Sequence, residues 1–305
     1  MLSILIPVYN FNCVALVEAL HSQCTSEKIP FEILVLDDTS KLFKEENRAI
    51  NKLDHCQYIE SELHYGRAKI RNELGKRAQF ENLLFIDADA LVDNNDYIKN
   101  YINVLPKADV LIGGVKYSAQ VPKNIVLRWY YGTNREYQPA EIRNKIPYKS
   151  LSSFNILIKK SVFDQHSFDE QSIDPNSGYY GHEDTLLGLT FKANAIPILH
   201  IDNQLIHNSL ESNQEFLKKS LVAVEKYVTN PQFQKPEVVE QIKIFKVFEK
   251  VKRFGLVGLL SFLYRKGEAR MKNNLFSHSP SLRLFDFYRL SYLAYYDKKN
   301  RDQFQ

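Results

Sequence analysis

Over its first two hundred residues the chain alternates short apolar runs with longer segments of helical periodicity, and that alternation leaves few folds open. Leu2–Val8 reads as a strand, residues 13–23 as a helix, 31–36 as a strand and 44–53 as a helix. A weak strand at 57–59, a helix over 66–78 and a strand at 83–86 continue the series, and strands at 109–113, 154–158 and 197–201 with a helix at 183–194 complete it. The order predicts an α/β fold: a mostly parallel sheet sandwiched by helices, Rossmann-like in plan, followed by a helical extension. The expected division is a catalytic domain over 1–212 and a helical, basic and aromatic region over 213–305. A polar and aromatic stretch at 129–148 reads as a long loop of the kind that binds or covers a ligand.

A parallel strand delivers the residues after it to the carboxyl edge of the sheet, where ligands of open α/β folds bind. The strand at 83–86 ends in Asp87-Ala88-Asp89, two carboxylates one small residue apart, which suits a divalent cation. The first strand runs into Pro7-Val8-Tyr9-Asn10-Phe11, so the Gly-x-Gly-x-x-Gly of a dinucleotide fold is missing, as is any Gly-x-x-x-x-Gly-Lys phosphate loop. A nucleotide bound here would need a metal and side chains for its phosphates. The second strand ends in Asp37-Asp38-Thr39-Ser40, Gly66 opens a helix carrying Arg67 and Arg71 on one face, and Gly181-His182-Glu183-Asp184 opens another.

Composition narrows the class further. The 305 residues are 44% hydrophobic and 25% charged, enough for a substantial core. Three cysteines without Cys-x-x-Cys spacing argue against a disulfide framework or zinc module and for a reducing, cytoplasmic setting. The opening apolar run lacks a basic leader, and no stretch approaches the roughly 20 apolar residues of a membrane span. The net charge of +4 is unevenly spread: residues 241–305 hold fourteen Lys and Arg against five Asp and Glu, leaving the first 240 residues at −5.

Taken in order, Ile6-Pro7-Val8-Tyr9-Asn10, Asp37-Asp38, Gly66 with Arg71-Asn72, Asp87-Ala88-Asp89 and Glu183-Asp184 followed by Leu186-Leu187 resemble glycosyltransferase family 2 across residues 1–210. The resemblance implies the GT-A fold and sugar transfer from a nucleoside diphosphate sugar, UDP-sugar favoured, to a hydroxyl acceptor. Asp38 then matches the residue that recognises the nucleotide base, with Pro7 and Tyr9 lining the pocket; an Asx turn or helix cap is its structural alternative. Arg71 matches the cation near the diphosphate, against the alternative of a solvated helix face. Asp87 would meet ribose or metal and Asp89 would ligate Mn2+ or Mg2+ directly. His207 is placed to complete the metal shell, competing with His200, whose context reads as a packed strand. Asp184 matches the general base, with Glu183 as fallback; two acids at a helix start are also what the macrodipole favours. One base without a nucleophile points to direct displacement with inversion.

Aromatic faces suit sugar rings, which makes Trp129 the acceptor candidate in the 129–148 stretch, with plain core or loop packing as the alternative; Asn155 could face the donor sugar by its position alone, since nothing in its residue type points there. In the tail, Lys243, Lys246, Lys250 and Arg253 share one side of a helix and an apolar run follows at 254–264, flanked by Arg253 and Arg265-Lys266. That run is too short to span a bilayer but suits a helix at an anionic membrane surface, on the inner face of the cytoplasmic membrane; packing against the body or a second subunit is the alternative. The acceptor would then be a glycan or lipid-linked glycan in cell-surface polysaccharide synthesis. A second reading keeps the fold without the chemistry, as a nucleotide-sugar-binding or membrane-surface scaffold subunit. No recognised nucleic-acid module accompanies the basic tail, so nucleic acid is excluded as a partner.

Overall fold

The computed structural model describes residues 1–121, 125–170 and 181–303. By contact the chain divides into two compact units, one of residues 1–118, 137–170 and 186–209 and another of 119–136, 171–185 and 210–305.

The first unit is built on a seven-stranded sheet. Its strands are β1 (Leu2–Val8), β2 (Phe31–Asp37), β3 (Cys56–Glu60), β4 (Asn82–Ile86), β6 (Val110–Ile112), β8 (Asn155–Lys159) and β9 (Ile198–His200), in the order β3-β2-β1-β4-β8-β6-β9. β1, β2, β3 and β4 pair in parallel; β8 runs antiparallel to both neighbours, and β9 pairs parallel with β6. β1 and β2 are buried almost throughout, which explains their unbroken apolar runs. Pairing of β1 with β4 ends at Leu5, so Pro7 forfeits no ladder bond on that side. Ile4, Ile6, Ile33, Val35, Leu84 and Ile86 meet Val17 and Leu20 of α1 (Val14–Ser26) in one continuous core.

A second sheet escaped the sequence because its strands are two or three residues long, below any detectable period. β5 (Ala90–Leu91), β10 (Leu205–His207) and β7 (Val115–Lys116) form it, with β10 in the middle, antiparallel to β5 and parallel to β7.

Two sequence expectations need correction. Residues 44–53 are not one helix: α2 (Lys44–Asn47) gives way to a 3-10 segment at Arg48–Lys52. The tightening accompanies buried Asn47, whose side chain accepts from the Cys13 amide at 3.0 Å and donates to Phe11 O at 2.9 Å, securing the loop after β1. Nor is 129–148 a loop. After α3 (Arg67–Arg77) and α4 (Tyr97–Ile102), α5 (Val126–Tyr131) leads into a π-helical turn at Gly132–Glu136, and Pro139 stands immediately before α6 (Ala140–Asn144). Its polar and aromatic composition concealed helices that bury Leu127 and Arg128 on one side and leave Tyr130 exposed on another. α7 (Lys160–Gln165) and α8 (Glu183–Ala193) follow.

The second unit continues with α9 (Asn213–Thr229), α10 (Pro236–Gln241), α11 (Lys243–Arg253), α12 (Val257–Leu275) and α13 (Leu282–Gln303). α9 starts at a full capping box, Ser212 with Glu215. Its core joins Leu127, Phe216, Leu217, Tyr264, Met271, Leu275, Phe285 and Tyr288. Among the described residues no helix is long and apolar enough to cross a membrane.

Candidate active site

The loops that leave β1 and β2 lock one another. Asn10, in left-handed conformation, accepts the amides of Lys41 and Leu42 on its side chain, and its own amide donates to Ser40 Oγ at 2.7 Å. Asp37 is fully buried: Oδ1 accepts the Ser40 amide at 2.6 Å and Oδ2 the Tyr58 hydroxyl at 2.7 Å. Asp38 is also buried and reaches the other way, accepting the amides of Tyr65 at 2.5 Å and Gly66 at 3.0 Å, with His64 Nδ1 3.1 Å from Oδ2. The first aspartate therefore fastens its own loop, and the second fastens the turn into α3.

Tyr9 is 55% exposed, and its ring lies 5.7 Å from that of His64. His64 thus touches both the Tyr9 ring and the Asp38 carboxylate, an aromatic edge beside an acid. Nothing in the residue pattern singled out His64 beyond its position two residues before Gly66. Pro7 lies within β1, one residue before its end.

α3 turns Arg71 inward and leaves Arg67 exposed, although the two share a helix face. Buried Arg71 donates through Nη1 to Arg67 O at 2.9 Å and through Nη2 to Asp87 Oδ1, and its guanidinium lies over the Phe168 ring at 5.6 Å. Its Nε is buried without a hydrogen-bond partner among the described residues. Neighbouring Asn72 pins the segment after α7, exchanging bonds with both backbone groups of Phe168 and donating to Glu170.

The short sheet brings Asp89 and His207 together. β10 pairs His207 opposite Ala90, the Asn208 amide donates to Asp89 O at 3.0 Å, and His207 Nε2 stands 2.9 Å from Asp89 Oδ2. Burial alone would raise the Asp89 carboxyl; the bond and charge of His207, with the charge of Arg67, hold it below the usual carboxylate range. Phe154 and Tyr117 pack their rings near the imidazole, at 5.3 and 5.9 Å. Asp87 and Asp89 thus face different partners: Asp87 the guanidinium of Arg71, Asp89 the imidazole of His207.

Other candidates have different surroundings. Asn155 does not face a ligand: it is 1% exposed, and its side chain accepts from the Tyr97 and Tyr101 hydroxyls and donates to Gly114 O and Asn203 O, using its full hydrogen-bonding capacity. His200 is a core residue, its ring between Arg143 Nη1 and Pro147 O, each at 2.9 Å. Trp129 lies half-buried in α5 with its ring 6.0 Å from that of Tyr130.

Glu183 and Asp184 open α8, where the Gly181 amide donates to the Glu183 carboxylate at 3.2 Å. The close approach that Gly181 suggests is to α9: a Cβ there would come within 2.8 Å of Ala223 Cβ, at a φ of +106°. His182 is enclosed by Phe233 and Phe245, and burial pushes its imidazole down to about 4.

The sheet order, with acids and a histidine at the carboxyl edge, is that of a nucleotide-sugar-binding α/β domain. No curated protein matches the chain. Among solved structures it is similar to the mannosyltransferase PcManGT from Pyrobaculum calidifontis in complex with GDP-Man and Mn2+, with 14% identity, 99% of this chain and 87% of that one covered, and a TM-score of 0.56. It is also similar to S. aureus TarS 1-349, with 17% identity, 99% and 91% covered, and a TM-score of 0.50. Against another S. aureus TarS structure, at 22% identity over 75% of this chain and a TM-score of 0.49, it spans only 40% of that chain. The first two likenesses establish the GT-A fold. The family model described as glycosyl transferase family 2 matches residues 3–167, more than half of the chain, and the protein belongs to that family of glycosyltransferases.

Proposed function

We propose that the protein is a metal-dependent, inverting glycosyltransferase that moves a sugar from a nucleoside diphosphate sugar to a hydroxyl of a glycan or lipid-linked glycan. The observation that carries this reading is the pair of Asp89 and His207, 118 positions apart in sequence and 2.9 Å apart in space, beside the Arg71–Asp87 ion pair.

The residues fit a hard or borderline divalent ion. A carboxylate and an imidazole with adjacent donor atoms suit Mn2+, or Mg2+ with more water. A pair of protein ligands leaves the ion's remaining positions to diphosphate oxygens and water. Asp89 and His207 would hold the ion, and when bound it supplies positive charge for the departing diphosphate. PcManGT, whose complex contains GDP-Man and Mn2+, is in keeping with such a cofactor.

The protein's own groups then have distinct tasks. Tyr9, Pro7 and Asp38 receive the base, and Arg71 orients Asp87 toward the ribose or the ion while its buried Nε awaits an acceptor. On the family's motif Asp184 is the general base, with Glu183 beside it: it takes the proton from the acceptor hydroxyl as that oxygen bonds to the anomeric carbon and the bond to the diphosphate breaks. Trp129 is the candidate acceptor contact. Residues 1–212 form the catalytic domain in this reading, and the enzyme works at the cytoplasmic face of a membrane.

A thermal-shift screen of nucleoside diphosphate sugars, UDP-sugars first, with and without Mn2+ tests donor and metal together. Metal-dependent stabilisation by one donor class is expected; no donor acting in either condition would end the reading. Inversion is tested separately by the anomeric coupling in the product's NMR spectrum, where a retained configuration would contradict it.

A further inference from the structure

Among the described residues of the second unit, the corner between α11 and α12 carries the most exposed apolar surface. Phe254 is 68% exposed, Phe262 56% and Leu259 54%, and Leu256 and Leu263 are exposed beside them. An added Cβ at Gly255 or Gly258 meets nothing within 4 Å, so the corner stands clear of its own unit. α12 packs through Ser261, Tyr264, Met271 and Leu275. Successive helical residues advance by 100°, which sets Leu259, Phe262, Leu263, Lys266 and Arg270 on the opposite side, in a single stripe.

That stripe changes character along its length. Its first two turns are apolar and the next are basic, with Lys266 about 10 Å of helix beyond Leu259. The approach to the corner along α11 shows a similar change, with exposed Lys243, Lys246, Lys250 and Arg253 leading to Phe254, whose ring lies under the Arg253 guanidinium at 5.4 Å. The two carboxylates nearest in sequence are engaged by lysines: Glu249 by Lys252 at 3.4 Å and Glu268 by Lys272 at 2.7 Å. An apolar tip behind which cations are gathered and anions neutralised is complementary to one kind of surface. A bilayer bearing acidic headgroups would receive the tip to a depth of about 5–10 Å and meet the cations at its phosphates.

We infer that the corner formed by Phe254, Leu256, Leu259, Phe262 and Leu263, with its collar of Lys250, Arg253, Arg265 and Lys266, is a wedge that docks the protein on an anionic bilayer. The inference rests on the proposed function only for the location of the acceptor at a membrane. It assigns the contact to one end of α12 rather than to the basic tail at large, so apolar and charged residues of the corner are both required.

Co-sedimentation of the full-length protein with vesicles tests it, using phosphatidylcholine alone against phosphatidylcholine and phosphatidylglycerol in equal parts. Neither donor nor acceptor is added, so the result is independent of whether the catalytic reading stands. The wild-type protein is expected to pellet with the mixed vesicles and to be released by salt. Leu259→Gln with Phe262→Gln, which keeps every charge, and Arg265→Gln with Lys266→Gln, which keeps every apolar residue, are each expected to weaken binding about ten-fold or more. All four positions are exposed, so melting temperatures should stay at the wild-type value. Wild-type protein left in the supernatant, or either double variant binding as well as wild type, would overturn the assignment. So would sedimentation of the lipid-free protein as a dimer that the Leu259→Gln, Phe262→Gln variant separates, since a second copy would then cover the corner.

Discussion

Asp89 and His207 meet because β10 sets His207 against Ala90, and the consequence is an acid already ionised and already oriented. Asp89→Asn keeps an oxygen able to accept from the imidazole while removing the charge. Turnover is expected to fall by about a hundred-fold or more with the melting temperature nearly unchanged; sugar transfer and thermal melts on the same preparations check it, and near wild-type turnover would remove Asp89 from the metal site. A different histidine controls acid stability. His200 accepts from Arg143 at Nδ1 and donates from Nε2 to Pro147 O, so it is held neutral, and burial pushes it down to about 4 from an ordinary 6.5. The unfolded chain therefore binds the proton first. The stability this residue contributes is complete above pH 6.5 and lost as pH falls from there toward 4, at up to about 1.4 kcal/mol per pH unit. His182 is depressed alike and adds to the slope. Urea melts at pH 7, 6 and 5 should show His200→Gln with a shallower loss than wild type, and parallel slopes would contradict the assignment. Asp38, Asp87, Asp89 and His207 stand out in the sequence because each ends or follows a strand. The partners were not: that Arg71 clasps Asp87, that Tyr97 and Tyr101 occupy Asn155, or that His64 sits beside Asp38 depends on residues far along the chain.

Elements differed in legibility for physical reasons. β1, β2 and β4 are buried runs of Ile, Leu and Val whose limits the sequence marks to within a residue. The segments at 44–53 and 129–148 carry their structural cause elsewhere, in the demand of the first loop for Asn47 and in the burial of Leu127 beside Phe216. The turn into α3 joins the two kinds, since Gly66 was visible and its task was not. It stands at φ +74° and ψ 174°, a conformation open in practice to glycine alone, and its amide is one of the two that Asp38 accepts. Gly66→Ala is expected to cost about 1–3 kcal/mol of stability and, by displacing His64 from Tyr9 and Asp38, to weaken donor binding by more than it lowers the melting temperature. Titration of the nucleoside diphosphate against this variant and against Gly255→Ala, at another positive-φ glycine, in the second unit, separates the two effects. Equal donor affinity in both variants would show that the turn does not shape the base pocket.

For the molecule as a whole, the basic C-terminal segment reads in sequence as a tail with its own job, yet its helices are half of a core. Leu275, Phe285 and Tyr288 close over Phe216 and Leu217 of α9 and Leu127 of α5, and the Arg289 guanidinium lies 4.3 Å from the Phe285 ring centre. Composition could report the charge of this segment but not which of its aromatic residues are inward. Phe285 is fully buried and stacked on Phe216, whereas Phe262, of the same residue type, is 56% exposed. Phe285→Ala should therefore cost about 3–5 kcal/mol, most of what a domain has to spare, and Phe262→Ala should stay within about 0.5 kcal/mol. Removing residues 241–305 altogether takes both kinds of residue at once, leaving Phe216, Leu217 and Leu127 without their cover, and the shortened chain is expected to aggregate or to lose a cooperative transition. Calorimetry of the two point variants and the truncated chain decides the matter: a truncated protein that melts as sharply as wild type, or Phe285→Ala as stable as Phe262→Ala, would mean that the C-terminal helices are an appendage after all and that the second unit finds its core without them.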